Sequence, residues 1–357
     1  MRKWREADDM SYQREFEKKI RIGVVGCGSH SYRNILPVLH FLPVKLVAVC
    51  DVNTEQARKC GEEYGAKWYG STREMYSQEA LDAVFLCVGA RLHSALAIEA
   101  LDAGIHVWME KPIAVRASQV EEVIRHRGDR ICMVGFKKAG MPAARKSKRL
   151  AEQLGGMELL TATYPMTIPG NGEQILEKGE TPNWLLNGVH PLSFLVYMGG
   201  RAERVCAMTG KSGTGAFFIE FENGVTACIN MTPQIQPNCE RYGVYGQGWH
   251  IEVDNRRVTL RKGIPDFVYD RTWDYTQGDD SGMRVWEPDN CVATLENKAL
   301  FTQGFYTETM EFCRWIMEDE RPESGELEEA LEIMRIYEAG LRSNGNWVTV
   351  HQEEDIR

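Results

Sequence analysis

The sequence contains no run approaching the about 18 consecutive apolar residues of a membrane-spanning helix. Its charged start, Met1-Arg2-Lys3-Trp4-Arg5, lacks the apolar centre of a secretory signal. No Cys-x-x-Cys pair occurs among the 10 cysteines. They are scattered singly, with Cys27, Cys50, Cys87 and Cys132 in or beside apolar runs, and are expected to be small buried hydrophobes in a reducing cytoplasm. Basic residues are outnumbered, 42 Lys and Arg against 51 Asp and Glu, for a net charge of -9. With no basic cluster interleaved with aromatics, a nucleic-acid partner is excluded, and a membrane partner is not expected. The local basic runs Lys137-Lys138 and Arg145 to Arg149 are read as solvated helix face. A Gly-x-Ser-x-Gly elbow and a Gly-x-x-x-x-Gly-Lys-Ser/Thr loop are both missing, which removes support for nucleophilic hydrolysis and phosphoryl transfer. The acids Asp279 and Asp280 stand at no metal-ligand spacing from a histidine and no zinc or calcium motif occurs elsewhere, so no metal is expected.

What is present begins with Ile20-Arg-Ile-Gly-Val-Val-Gly-Cys-Gly-Ser29, an apolar strand running into Gly26-Cys27-Gly28. A helix-like segment Ile35 to Leu42 follows, and a second apolar run stops at Asp51. That arrangement binds a dinucleotide: Gly26 permits a tight turn, Gly28 lets backbone approach a pyrophosphate, and the helix N-terminus favours the anion. Ser31 occupies the third glycine position. Asp51 accepts hydrogen bonds from a ribose diol and repels a 2′-phosphate, so NAD is favoured, while Arg33 and Arg58 keep NADP possible.

At 357 residues and 43% hydrophobic content, the chain has enough apolar material for two cores. Strand patterns at Ile20 to Val25, Leu46 to Cys50, Lys67 to Tyr69, Ala83 to Val88, His106 to Met109 and Ile131 to Val134 alternate with amphipathic segments. This alternation predicts an α/β Rossmann domain, a doubly wound parallel sheet, over residues 20–135. A charged extension, read as a short helix, occupies 1–19. Over 136–357 the strands follow one another closely without crossover helices, and Glu222-Asn223-Gly224 marks a hairpin turn. The expectation is an α+β domain with a large, open-faced, mostly antiparallel sheet, closed by helices at Thr302 to Glu318 and Glu326 to Ser343. The aromatic-rich span Trp273 to Trp286 reads as a surface loop or an oligomer contact.

Gly26-Cys27-Gly28, Asp51, Ala103-Gly104-Ile105-His106-Val107-Trp108-Met109-Glu110-Lys111-Pro112, Gly135-Phe136 and Gly188-Val189-His190 together resemble the Gfo/Idh/MocA family, the relatives of glucose-fructose oxidoreductase and inositol dehydrogenase. The resemblance runs from about residue 20 to 350, and Glu-Lys-Pro is its most specific part. It implies NAD(P)-linked oxidation of a secondary hydroxyl on a sugar or cyclitol, a cis bond before Pro112, and a dimer or tetramer formed through the open sheet.

Lys111, at the carboxyl edge of a parallel sheet and partly desolvated, is the first candidate for proton transfer. His190 is the second, since the resemblance gives the matching histidine an acid or base role. The family pattern places aspartates four residues before and three after it, where this chain has Leu186 and Ser193. Neither residue can stabilise an imidazolium as a carboxylate does, although Ser193 or Asn187 is positioned in sequence to orient the ring. The expected cofactor contacts are Gly26, Gly28, Ser29, His30, Asp51, Gly89, His93, Glu110 and Lys111. Expected substrate contacts are Lys138, Tyr164, Trp184 as a stacking surface, Asn187 and His190. Arg91 is a loop charge able to reach an anionic substrate. Besides a dehydrogenase, the pattern fits an NAD-assisted hydrolase or lyase with transient sugar oxidation, or a cofactor-binding protein without turnover.

Overall fold

The computed structural model describes residues 16–234, 239–263, 282–288, 291, 294 and 297–351. The expected N-terminal helix lies almost wholly outside them. Six strands, β1 (Ile20–Val25), β2 (Val44–Cys50), β3 (Lys67–Tyr69), β4 (Ala83–Leu86), β5 (His106–Glu110) and β6 (Cys132–Gly135), form a parallel sheet in the order β3-β2-β1-β4-β5-β6. The strands β4, β5 and β6 read as continuous apolar runs because helices cover both faces and leave no solvated side. The order reverses between β1 and β4, opening a crevice at their carboxyl ends where doubly wound sheets take ligands. The segment after Gly28 is a π-helical turn, Ser31–Ile35, leading into a short helix, Leu36–Leu39, instead of the regular helix expected over 35–42.

The second sheet has nine strands: β7 (Leu159–Tyr164), β8 (Ala202–Thr209), β9 (Gly215–Phe221), β10 (Thr226–Met231), β11 (Arg241–Gly246), β12 (Trp249–Asp254), β13 (Arg257–Lys262), β14 (Gly282–Trp286) and β15 (Val348–Thr349). Their order is β14-β13-β12-β11-β7-β10-β9-β8-β15. The pairing is antiparallel except at its centre, where β7 runs parallel to β10. The expectation that no crossover helices intervene fails between β7 and β8. The helices Gly172–Lys178, Asn183–Leu186 and Val189–Gly199 lie there and provide the long connection a parallel pair needs. The Glu222-Asn223-Gly224 turn joins β9 to β10 as expected, with Gly224 at φ 87. Of the Trp273 to Trp286 span, only Gly282 to Trp286 is described, and it forms the edge strand β14, not a loop.

One face of this sheet is covered by helices, with Phe194 stacked on Tyr242 at 4.0 Å and Trp184 edge-on to Phe217 at 5.0 Å. Among the described residues the other face is open, and it is mixed in character. Leu159, Phe218 and Met208 reach it from β7, β9 and β8 in separate rows. Thr161, Thr163, Asn230, Arg241, Glu252, Asp254 and Arg257 line a dish of about 490 Å³ on it.

A division at residue 135 separates the two sheets but not the two cores. The helix Phe305–Glu318 returns to the parallel sheet, where fully buried Phe312 meets Phe85 edge-on at 5.6 Å. Gly325 O also accepts from Val134 N of β6 at 2.8 Å. The nucleotide-binding half is therefore completed by residues from near the end of the chain. Phe312→Ala should destabilise that half by about 3–5 kcal/mol, as truncation of a buried aromatic does; the shift in urea midpoint of the unfolding transition measures it.

Candidate active site

The loop after β1 is shaped by exclusion. Gly26 sits at φ 94, and a Cβ there would lie 2.3 Å from the Cys87 carbonyl oxygen, so only glycine fits. Its N–H donates to Cys50 O at 2.8 Å, tying the loop to the end of β2. At Gly28 the reverse holds: a Cβ would meet nothing within 4 Å, which leaves open space in front of the backbone. Ser31, in place of a third glycine, is buried and donates its hydroxyl back to Gly26 O, closing the loop. The Asp51 carboxylate accepts from Cys27 N and from Asn53 N, each at 2.8 Å. Two backbone donors thus fix its orientation and leave lone pairs for a ribose diol. Arg58 is engaged by Glu55 and Glu62 on its own helix, which removes one of the two arginines that kept NADP open. The loop, the open approach at Gly28 and the oriented Asp51 fit a dinucleotide. Ser29 and Gly89 are exposed at the same strand ends, where they border this space.

His30 and Glu110 were each expected beside the cofactor, and the structure joins them. His30 Nε2 lies 2.7 Å from Glu110 Oε1, and Asn34 Nδ2 is 3.3 Å from Nδ1, a pattern in which Nε2 donates to the carboxylate. Glu110 Oε2 accepts from Lys111 N at 3.2 Å, so this acid anchors the turn after β5. The Lys111–Pro112 peptide is cis. His93 is a correction to its expected cofactor contact. It is 1% exposed, Nε2 faces Val88 N at 3.4 Å and Nδ1 faces Pro112 O at 2.8 Å. Both ring nitrogens are spent on backbone, and burial lowers its pKa; it braces the Lys-Pro turn from below.

Lys111 reaches across to the second domain, donating from Nζ to Leu186 O at 3.0 Å. Burial lowers its pKa from the ordinary lysine value, with Glu110 opposing. His190, in the first turn of the Val189–Gly199 helix, is 8% exposed. Burial and then the charges of Lys111, Lys137 and Lys138 push its pKa well below the usual histidine value, so the ring is neutral. Among the described residues neither ring nitrogen has a hydrogen-bond partner. The Ser193 hydroxyl does not orient it, since it donates to the His190 backbone carbonyl at 2.8 Å. Asn187 lies at the break between two helices, with no side-chain hydrogen bond to the ring. Tyr164 does face the site, its ring 6.3 Å from that of His190, and burial raises its pKa.

Two further expectations need correction. Trp184 is fully buried, donates to Tyr337 O at 3.1 Å and packs on Phe217, so it is core and offers no stacking surface to a ligand. The Lys137-Lys138 and Arg145 runs are not solvated. Lys138 is 6% exposed and bonds Glu240 Oε2 at 2.6 Å, Lys137 is half-buried over the Phe305 ring at 4.6 Å, and buried Arg145 bridges Glu311 and Glu323. Sequence reasoning missed Lys137, Glu240 and Glu308 as neighbours of the site. The clue available for Lys137 was its place just past β6, at the carboxyl edge; Glu240 and Glu308 had none.

Residues 20–136 match the model of the Gfo/Idh/MocA oxidoreductases, described as an oxidoreductase family with an NAD-binding Rossmann fold. The match identifies this first part of the chain as a Gfo/Idh/MocA-type NAD-binding Rossmann domain. It is 26% identical over 264 residues to myo-inositol 2-dehydrogenase of Thermotoga maritima, covering 67% of this chain and 77% of that one. Its fold is similar to that of a dehydrogenase from Chromobacterium violaceum, at TM-score 0.78 and 19% identity over 92% of this chain and 96% of the other. It is also similar to an oxidoreductase from Agrobacterium radiobacter solved with NAD+, L-tartaric acid and magnesium, at TM-score 0.76, 14% identity, and 93% and 99% coverage. With this domain and these relatives, the chain is an NAD-binding oxidoreductase. Among the described residues no helix is long and apolar enough to cross a membrane.

Asp51→Ala should weaken NADH binding by about 1–3 kcal/mol, the scale of hydrogen bonds to a charged group, and narrow the preference over NADPH. Fluorescence titration of both cofactors against both proteins checks this; equal affinities unchanged by the substitution would refute the assignment.

Proposed function

We propose that this oxidoreductase oxidises a secondary hydroxyl of a sugar, sugar derivative or cyclitol with NAD, or reduces the matching ketone. The convergence of Lys111 and His190 from two domains on one cleft, next to a loop suited to a dinucleotide, carries this reading. The inositol dehydrogenase named among the relatives supports the substrate class. Bound NAD supplies the hydride acceptor. Lys111, its pKa lowered by burial, offers a free amine to the hydroxyl proton at lower pH than an exposed lysine would. Neutral His190 orients the hydroxyl through a ring nitrogen that no protein group occupies. The neighbouring lysines Lys111, Lys137 and Lys138 disfavour the imidazolium, which makes the histidine the weaker proton acceptor of the two.

Activity should therefore rise with pH as Lys111 loses its proton, with the midpoint below the ordinary lysine value. A panel of monosaccharides, sugar acids, sugar phosphates and inositols, read by NADH absorbance and product analysis, identifies a substrate for this profile. With it, Lys111→Met should abolish turnover, remove the pH limb and spare NAD binding. His190→Asn should cost about 10- to 1000-fold, the range of general acid-base groups. A dead His190→Asn beside an active Lys111→Met would invert the ranking.

We further propose a dimer or tetramer formed through the open face of the nine-stranded sheet. Exposed Leu159 (38%) and Met208 (57%) on that face support it. Sedimentation equilibrium should give at least a dimer; a monomer at micromolar concentration would contradict the proposal.

A further inference from the structure

The lysines at the site are unequal in their partners. Lys138 has a carboxylate, Glu240, at 2.6 Å. Among the described residues Lys111 has the Leu186 carbonyl, and Lys137 the Gln303 amide oxygen at 3.5 Å and the face of Phe305. Among the described residues neither has a carboxylate within 4 Å. Both are half-buried, at the carboxyl ends of adjacent strands β5 and β6, and each lowers the pKa of His190 between them. An ammonium held in the cleft with no carboxylate at ion-pair distance is costly, because the more distant Glu110 repays its desolvation only in part.

The acids nearby do not repay it in full. Glu110 is 6% exposed and is committed to His30 and to the Lys111 backbone. Glu308 is 1% exposed, and neither of its carboxyl oxygens has a hydrogen-bond partner. Burial, with Glu110 beside it, raises its pKa above the ordinary carboxylate value, which weakens it as a counter-ion. Glu240 is shared between Lys138 and the Tyr242 hydroxyl, which donates to it at 2.8 Å. A polyol has no charge with which to complete this cleft. A negatively charged group does, by pairing with an ammonium already desolvated and needing little reorganisation.

We propose that the substrate is an anionic polyol, a sugar acid or sugar phosphate whose charged group is held by Lys137 while Lys111 faces the reacting hydroxyl. This deepens the dehydrogenase reading and rests on it. Lys137 selects the substrate, and Lys111 serves its chemistry; the division follows from their neighbours, Lys111 belonging to the Glu-Lys-Pro turn braced by Glu110 and His93, Lys137 to the short helix after β6.

The test compares matched probes on the full-length protein saturated with NAD: D-glucuronate, D-glucose 6-phosphate and D-glucose, then D-galacturonate and D-galactose, with myo-inositol. Binding is read by calorimetry and turnover by NADH absorbance. The expected result is at least one anion bound, and where oxidised turned over, about tenfold or more better than its neutral partner, the scale of one charged hydrogen bond. The uronate and phosphate arms distinguish which anion is meant. Lys137→Gln should raise KM or Kd for that anion about tenfold or more, and much less for the neutral partner, whereas Lys137→Arg should keep the preference. Unchanged NAD affinity in both variants reports an intact fold. Neutral sugars binding as well as every anion, or Lys137→Gln weakening both partners alike, would overturn the proposal. Anions that bind through Lys137 without NADH formation from any probe would leave it standing and count against the dehydrogenase reading.

Discussion

The burial of lysine ammonium groups at the carboxyl edge of the parallel sheet is the constraint from which the site follows. A lysine taken out of water loses solvation that a neutral oxygen only partly returns, so its pKa falls and its Coulomb field reaches its neighbours unscreened. Lys111 and Lys137 both show this lowering, and His190 beside them is driven to the neutral form. One arrangement of charge thereby lowers the pKa of the lysines and of the histidine together.

Holding such groups in place takes structure beneath them, and two histidines, His30 and His93, provide part of it. His30 reaches from the loop after β1 to Glu110 at the end of β5, spanning the crevice where the strand order reverses. His93 ties the backbone after β4 to Pro112. Three strand ends are cross-braced in this way, by side chains whose polar atoms are satisfied locally. The brace explains how Lys111 can extend across to Leu186 without its own turn moving.

The two halves of the molecule also share material. Phe305 lies under Lys137, and Phe312 of the same helix fills the core behind Phe85. A helix from the C-terminal part therefore supports both the parallel sheet and the cleft cation. This couples the placement of Lys137 to the packing of the nucleotide-binding half, so the two domains are not independent modules joined at a linker.

Much of this was legible in the sequence wherever the determinant was local. Period and composition located β1, β3 and β7 to the residue and the remaining parallel strands to within about two, because each strand carries its own apolar signal and each turn its own glycine or asparagine. Gly26, Gly28, Asp51 and the Glu-Lys-Pro turn were readable for the same reason. Contacts between distant segments were not. Trp184 looked like a sugar platform and lies in the core; His93 looked like a cofactor neighbour and braces a turn; Lys137-Lys138 looked solvated and line the cleft. The parallel pairing of β7 with β10 and the return of the Phe305–Glu318 helix to the first sheet likewise had no local marker. Sequence determined which segments become strands, turns and nucleotide loop, since backbone preference and hydrophobic period act over a few residues. Only the tertiary structure decided which side chains lose water and which find partners, because desolvation and ion pairing depend on neighbours that lie tens to hundreds of residues away along the chain.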